Sequence, residues 1–127
     1  KMRKGALNNF AKELGCNKIA YAHHKDDFIE TMLLSLFYEG QFFSFPPIKY
    51  FEDVDITVIR PMIYIPEKDI IGFQNKMKFD SVKNPCPFDK NTKRESVKNL
   101  LHQIQKENPN VKEKMFNAIL KGKIYQW

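Results

Sequence analysis

Apolar residues recur at helical spacing from the start of the chain: Leu7, Phe10, Ala11 and Leu14 share one face of a helix predicted over 2–14. Gly15 follows, the residue type that closes helices in a left-handed conformation. Residues 18–22 read as a short strand. Beyond a polar turn, Phe28, Ile29, Met32, Leu33, Leu36 and Phe37 form a broad apolar face, predicting a second helix that ends near Gly40. Asp27 and Glu30 have the form of a capping box and place its start at Asp26 or Asp27. Ile48–Phe51 and Ile56–Ile59 are β-type runs around an acidic turn, Glu52-Asp53-Val54-Asp55, and Arg60-Pro61 halts the second. Pro66 suits the first turn of a third helix, Glu67 and Asp69 favour its positive end, and Ile70, Ile71 and Phe73 supply its buried side. Residues 80–90 form a loop around Asn84-Pro85-Cys86-Pro87. A second capping box, Thr92 with Glu95, opens a helix through Val97, Leu100, Leu101 and Ile104. Asn108-Pro109-Asn110 breaks it, and a last helix carries Val111, Met115, Phe116, Ile119 and Leu120.

The order helix, strand, helix belongs to an alternating α/β pattern, which implies a parallel sheet with helices on its faces. With 127 residues and 43% hydrophobic content the chain supports one modest core. Its apolar runs stop well short of the ~20 residues of a membrane span, and no signal peptide is visible, so a cytoplasmic protein is expected. The chain opens on Lys1 inside a helix pattern without a cap, and so reads as cut from something longer.

Two cysteines are too few for a disulfide framework or a four-ligand metal site. Cys16 is expected to be a small buried residue, whereas Cys86 sits between prolines in a loop that can present its sulfur. Net charge is +6, and residues 76–98 hold seven basic side chains against three acidic ones. That balance of +4 suits a phosphate-rich partner such as nucleic acid, although a solvated basic surface explains charge alone equally well.

The turn His23-His24-Lys25-Asp26-Asp27 lies at the carboxyl end of a strand, where open α/β sheets bind ligands. Its aspartates stand at a helix N-terminus, where a phosphate is also favoured, and carboxylates there can hold Mg²⁺ against nucleotide phosphates. The histidines can neutralise phosphate or move protons near neutral pH. Plain helix capping with packed imidazoles explains the same spacing. Phe42, Phe43 and Phe45, ahead of Pro46-Pro47, form an aromatic loop able to stack on bases, or to cover a core.

Ala22-His23-His24-Lys25-Asp26-Asp27-Phe28-Ile29-Glu30-Thr31 resembles the G-H-x-x-D-D-x-x-E-T element of PP-loop ATP pyrophosphatases that modify tRNA. Arg3-Lys4-Gly5-Ala6-Leu7, Leu14-Gly15-Cys16-Asn17, Leu36-Phe37-Tyr38-Glu39-Gly40, Val58-Ile59-Arg60-Pro61-Met62 and Glu67-Lys68-Asp69-Ile70-Ile71 extend the resemblance to the tRNA 2-thiocytidine synthetase family. It implies the C-terminal part of a Rossmann-like α/β fold, the adenine nucleotide alpha hydrolase-like parallel sheet with flanking helices, followed by a helical C-terminal region. Residues 1–64 would be the remainder of the nucleotide-binding domain and 65–127 the helical region.

The activity implied is ATP- and Mg²⁺-dependent adenylation of a cytidine in the tRNA anticodon loop, followed by sulfur transfer. The resemblance assigns Asp26 and Asp27 to catalysis, His23, His24 and Asp27 to the nucleotide, and Asp26 to Mg²⁺. It makes Cys86 a ligand of a 4Fe–4S cluster whose other cysteines are missing from this chain; Lys93, Arg94 and Lys98 of the basic stretch are the expected contacts to tRNA phosphates. A sulfur donor such as a cysteine desulfurase system is implied, no membrane partner is, and homodimer formation is left open. Three departures stand out: the S-G-G-K-D-S phosphate loop is absent, Ala22 replaces the usual glycine, and Cys86-Pro87-Phe88-Asp89-Lys90 lacks a second nearby cysteine. The chain by itself is therefore expected to be inactive. Rival readings are a tRNA-lysidine synthetase-like ligase and a non-catalytic RNA-binding module.

Overall fold

The computed structural model describes residues 2–79 and 92–122. The loop around Cys86, with Lys83 and Lys90, and the tail to Trp127 lie outside the described residues. Helix α1 (Met2–Glu13) leads to strand β1 (Lys18–Ala20) and helix α2 (Lys25–Leu34), which runs on into a π turn, Ser35–Glu39. Strands β2 (Ile48–Phe51) and β3 (Ile56–Ile59) form a hairpin, and helices α3 (Glu67–Met77), α4 (Thr92–Glu107) and α5 (Val111–Lys121) complete the order.

Helix α1 ends as its glycine dictates. Gly15 takes φ +74°, its N–H donates to the Lys12 carbonyl (3.0 Å), and the Cys16 N–H reaches back to the Ala11 carbonyl (2.8 Å). These are the two bonds of a Schellman closure. The closure turns the Cys16 side chain outward, so this thiol is exposed rather than buried, a correction to the expectation for it.

Strand β3 is central, with the order β1-β3-β2. Ile19 lies opposite Val58 in the parallel pair, and Tyr50 opposite Thr57 in the antiparallel one. The parallel pairing expected from the α/β pattern thus holds for β1 and β3. The four-residue turn 52–55 is too short for a crossover, so β2 must run antiparallel. Ile56 and Val58 point from β3 into the interior and are buried.

Helix α2 begins at Lys25, slightly before the expected Asp26 or Asp27, because His24 and not Asp27 is its cap. Asp27 N–H donates to His24 Nδ1 (3.3 Å), and His24 N–H donates to Asp27 Oδ2 (3.1 Å). The pattern is a reciprocal box built on an imidazole. Glu30, released from capping, is buried. Helix α2 supplies Phe28, Ile29, Met32 and Leu33 to a core completed by Ile63, by Val97 and Leu101 of α4, and by Phe116 and Ile119 of α5. Phe28 and Phe116 meet edge to face at 5.4 Å.

The expected buried side of α3 is not found. Among its residues none is buried, and Ile71 and Phe73 are about half exposed. The helix is instead held at its first turn, where Asp26 Oδ1 accepts the Glu67 N–H at 2.8 Å. No helix among the described residues is long and apolar enough to cross a membrane.

Candidate functional site

The His-His-Lys-Asp-Asp turn is fastened at both ends to the segment that follows β3: Tyr21 N–H donates to the Ile59 carbonyl (2.9 Å) and Lys25 N–H to the Ile65 carbonyl (3.0 Å). Between these anchors the side chains divide. His23 turns to Arg60 and the aromatic loop, whereas Asp26 turns to the first turn of α3 and to α5. Asp27 stays with His24, whose Nε2 lies 3.4 Å from Asp27 Oδ2.

Asp26 is buried with both oxygens engaged: Oδ1 by the Glu67 N–H and Oδ2 by Lys112 Nζ, each at 2.8 Å. Burial opposes its ionisation, but the amide bond and the ammonium outweigh it and hold its carboxyl below the ordinary range. Glu30 lies one turn further along the same helix face. It accepts from Arg94 Nη1 (3.0 Å), and Lys98 Nζ stands 3.8 Å from its other oxygen and 3.5 Å from Glu67. Burial raises the Glu30 carboxyl above its ordinary value, Lys98 and Arg94 offsetting part of the effect. Lys98 is itself partly desolvated, yet Glu30 and Glu67 raise it.

Ligand atoms of Asp26, Glu30 and Glu67 lie within 4.8 Å of one another, a spacing compatible with a metal ion. The donor set already faces Arg94, Lys98 and Lys112, so three carboxylates meet three cations. A cation at these carboxylates would compete with Lys112 for Asp26 Oδ2. Asp26, Glu30, Glu67, Lys98 and Lys112 line a cleft of about 530 Å³ between the starts of α2 and α3 and the facing sides of α4 and α5.

The other side of the turn is aromatic. His23 Nδ1 accepts from Arg60 Nε (3.1 Å), and its ring stacks on Phe45 with centroids 4.7 Å apart. Arg60 also donates to the Pro46 carbonyl (2.8 Å) and lies over the Phe45 ring. Burial first, and the guanidinium second, hold His23 below the ordinary histidine value.

The structure therefore brings together Asp26, Arg94 and Lys98 of the expected site residues, through Glu30 and Glu67. Lys93 is exposed, with its ammonium 4.9 Å from the centre of the Tyr38 ring. Cys86 is outside the described residues. The roles of Arg60, Lys112 and Glu67 as partners were not legible in the sequence. Arg60 stood there only within the Val58–Met62 stretch of the resemblance and as a strand stop.

A nucleotide-type α/β sheet ending in a charged turn agrees with the family comparison, in which residues 1–105 match the model described as "PP-loop domain". The chain belongs to the PP-loop domain family. Among curated proteins it is similar to tRNA-cytidine(32) 2-sulfurtransferases: 38% identical over 121 residues to that of Geobacter sulfurreducens, covering 94% of this chain and 47% of the relative. With the one from an Anaeromyxobacter species it shares 42% over 120 residues, covering 94% and 40%. The chain thus spans about half the length of these relatives or less. Among solved structures, the U34-tRNA thiolase NcsA of Methanococcus maripaludis, described with its 4Fe-4S cluster, superposes with a TM-score of 0.72 at 20% identity, over 94% of this chain and 41% of that one. This neighbour shares the fold.

Proposed function

We propose that this chain is the portion of an ATP-dependent tRNA-thiolating enzyme that carries the His-Asp turn, acting on an anticodon-loop cytidine to give 2-thiocytidine. The observation that carries the reading is the 38–42% identity to tRNA-cytidine(32) 2-sulfurtransferases over nearly the whole chain. The buried charge network agrees with it: Asp26 is kept ionised and Glu30 is clamped, so the start of α2 presents a fixed electrostatic surface to an activated substrate.

In this reading ATP is the activating substrate, His23, His24 and Asp27 face it, and Asp26 and Asp27 serve the reaction, Asp26 also serving Mg²⁺. Cys86 is one ligand of the 4Fe–4S cluster, which when bound supplies the iron that handles sulfur. Lys93 at the surface meets tRNA phosphate, and Arg94 and Lys98 do so where their partners leave room. The residues divide into a nucleotide-binding remainder, 1–64, and a helical region, 65–127. Thiolation takes place in the cytoplasm with a cysteine desulfurase-type donor and requires a phosphate loop that this chain does not carry.

The test is nucleoside mass spectrometry of tRNA from cells lacking the gene. Loss of 2-thiocytidine is expected, and restoration by the full-length protein but not by its Cys86→Ser variant. Loss of lysidine instead would move the protein to the ligase reading.

A further inference from the structure

Arg60 is absorbed by no part of the site as the sequence reads it, yet its side chain donates two hydrogen bonds beside the turn and lies over the Phe45 ring. A guanidinium nitrogen can only donate, so the His23 Nδ1 that it meets at 3.1 Å must offer a lone pair. In a neutral ring the hydrogen then sits on Nε2. Among the described residues nothing accepts from that Nε2. The arrangement is held from several directions: Phe45 stacks on the ring at 24° to its plane, Tyr21 flanks it at 5.4 Å, and the Pro46 carbonyl fixes Arg60 at 2.8 Å. A second proton on His23 would place an N–H against the Arg60 N–H.

We propose that Arg60 is a positioning residue that locks His23 as a neutral donor, with its Nε2–H available to an oxygen of the bound nucleotide. The inference rests on the thiolation reading for the identity of that acceptor, though not for the lock itself. His23 then acts by a directed hydrogen bond and neither as a cation nor as a proton donor in the reaction. The charged and titratable groups around it are Arg60, Asp27, Arg94 and His24, with the Tyr21 ring alongside. Of these, Asp27 alone favours the protonated ring, and Arg60 opposes it from direct contact.

The experiment is long-range ¹H–¹⁵N correlation NMR on the protein labelled at its three histidines, with His23 assigned by the signal lost in His23→Gln. The expected wild-type spectrum at pH 7 shows His23 as the Nε2–H tautomer alone. Arg60→Gln is expected to give mixed tautomers and to raise the His23 titration midpoint by about one pH unit. Arg60→Met removes every donor at this position and provides a second variant; it should also give mixed tautomers. A wild-type mixture, an Nδ1–H tautomer, or variants with an unchanged tautomer would each overturn the lock. In the full-length protein Arg60→Gln should lower cellular 2-thiocytidine several-fold, and an unchanged level would overturn the functional part. If the wild type makes no 2-thiocytidine, the thiolation reading fails while the NMR result still decides the lock.

Discussion

Replacing Arg94 by methionine removes one cation from a buried carboxylate while keeping most of the volume. Glu30 is 2% exposed and Arg94 33%, with the Nη1–Oε1 bond at 3.0 Å. Stripping a partner from a buried charge costs roughly 3–5 kcal/mol. Here Lys98 remains 3.8 Å from Glu30 and Arg94 is a third solvated, which reduces the expected loss to about 2 kcal/mol at pH 7. The pH dependence gives the sharper check. Burial already raises the Glu30 carboxyl above its ordinary 4.5, and removing Arg94 raises it further. A group whose folded value lies above its unfolded one lends stability that is complete below the unfolded value and is lost as pH rises through the folded one. The deficit of the variant should therefore be small at pH 4, grow as the pH climbs, and level off. Urea unfolding followed by circular dichroism at several pH values measures it, and Glu30→Gln combined with Arg94→Met should lose less than the two single losses added. A deficit equal at pH 4 and pH 7, or below about 0.5 kcal/mol at pH 7, would refute a charge-based clamp.

Phe116→Ala opens the centre of the core, and urea unfolding should show a loss of about 3–5 kcal/mol. Gly15→Ala meets no atom within 4 Å, so its expected cost, about 1 kcal/mol, comes from the left-handed backbone alone and should leave the m-value unchanged. Asp26→Asn weakens the hold on the first turn of α3 by roughly 1–2 kcal/mol, read as faster amide exchange at Glu67. Because the folded Asp26 carboxyl lies below its ordinary value, its contribution is full above about 3.8 and disappears as pH falls through the folded value. Above that range the wild type should exceed Asp26→Asn in stability, with the gap narrowing in acid.

What was legible in the sequence was local. The β2 and β3 runs, the closure at Gly15 and the His-Asp turn between strand and helix each depend on neighbours a few residues away, and the structure places them as expected. The faces of α4 and α5 were half legible: Val97, Leu101 and Phe116 are buried, while Leu100 and Ile104 stay more than a third exposed. What escaped was the partnering. Asp26 meets residues 41 and 86 positions away, and His23 one 37 positions away, separations that no periodicity encodes. The apolar positions of α3 misled for the same reason: spacing defines a face, but the rest of the molecule decides whether anything covers it. Cys16 misled because small size suggests burial, whereas the direction of the chain leaving a helix decides it.

The core joins α2 to helices that come late in the chain. On a ribosome, Phe28, Ile29, Met32 and Leu33 emerge long before Phe116 and Ile119, the residues that cover them. At ~5–20 residues per second that interval is on the order of ten seconds. For that time the nascent chain carries an apolar helix whose cover is incomplete, with the sheet hairpin free to form ahead of it. Slow or interrupted synthesis past α3 therefore leaves this apolar face open to chaperone capture or aggregation.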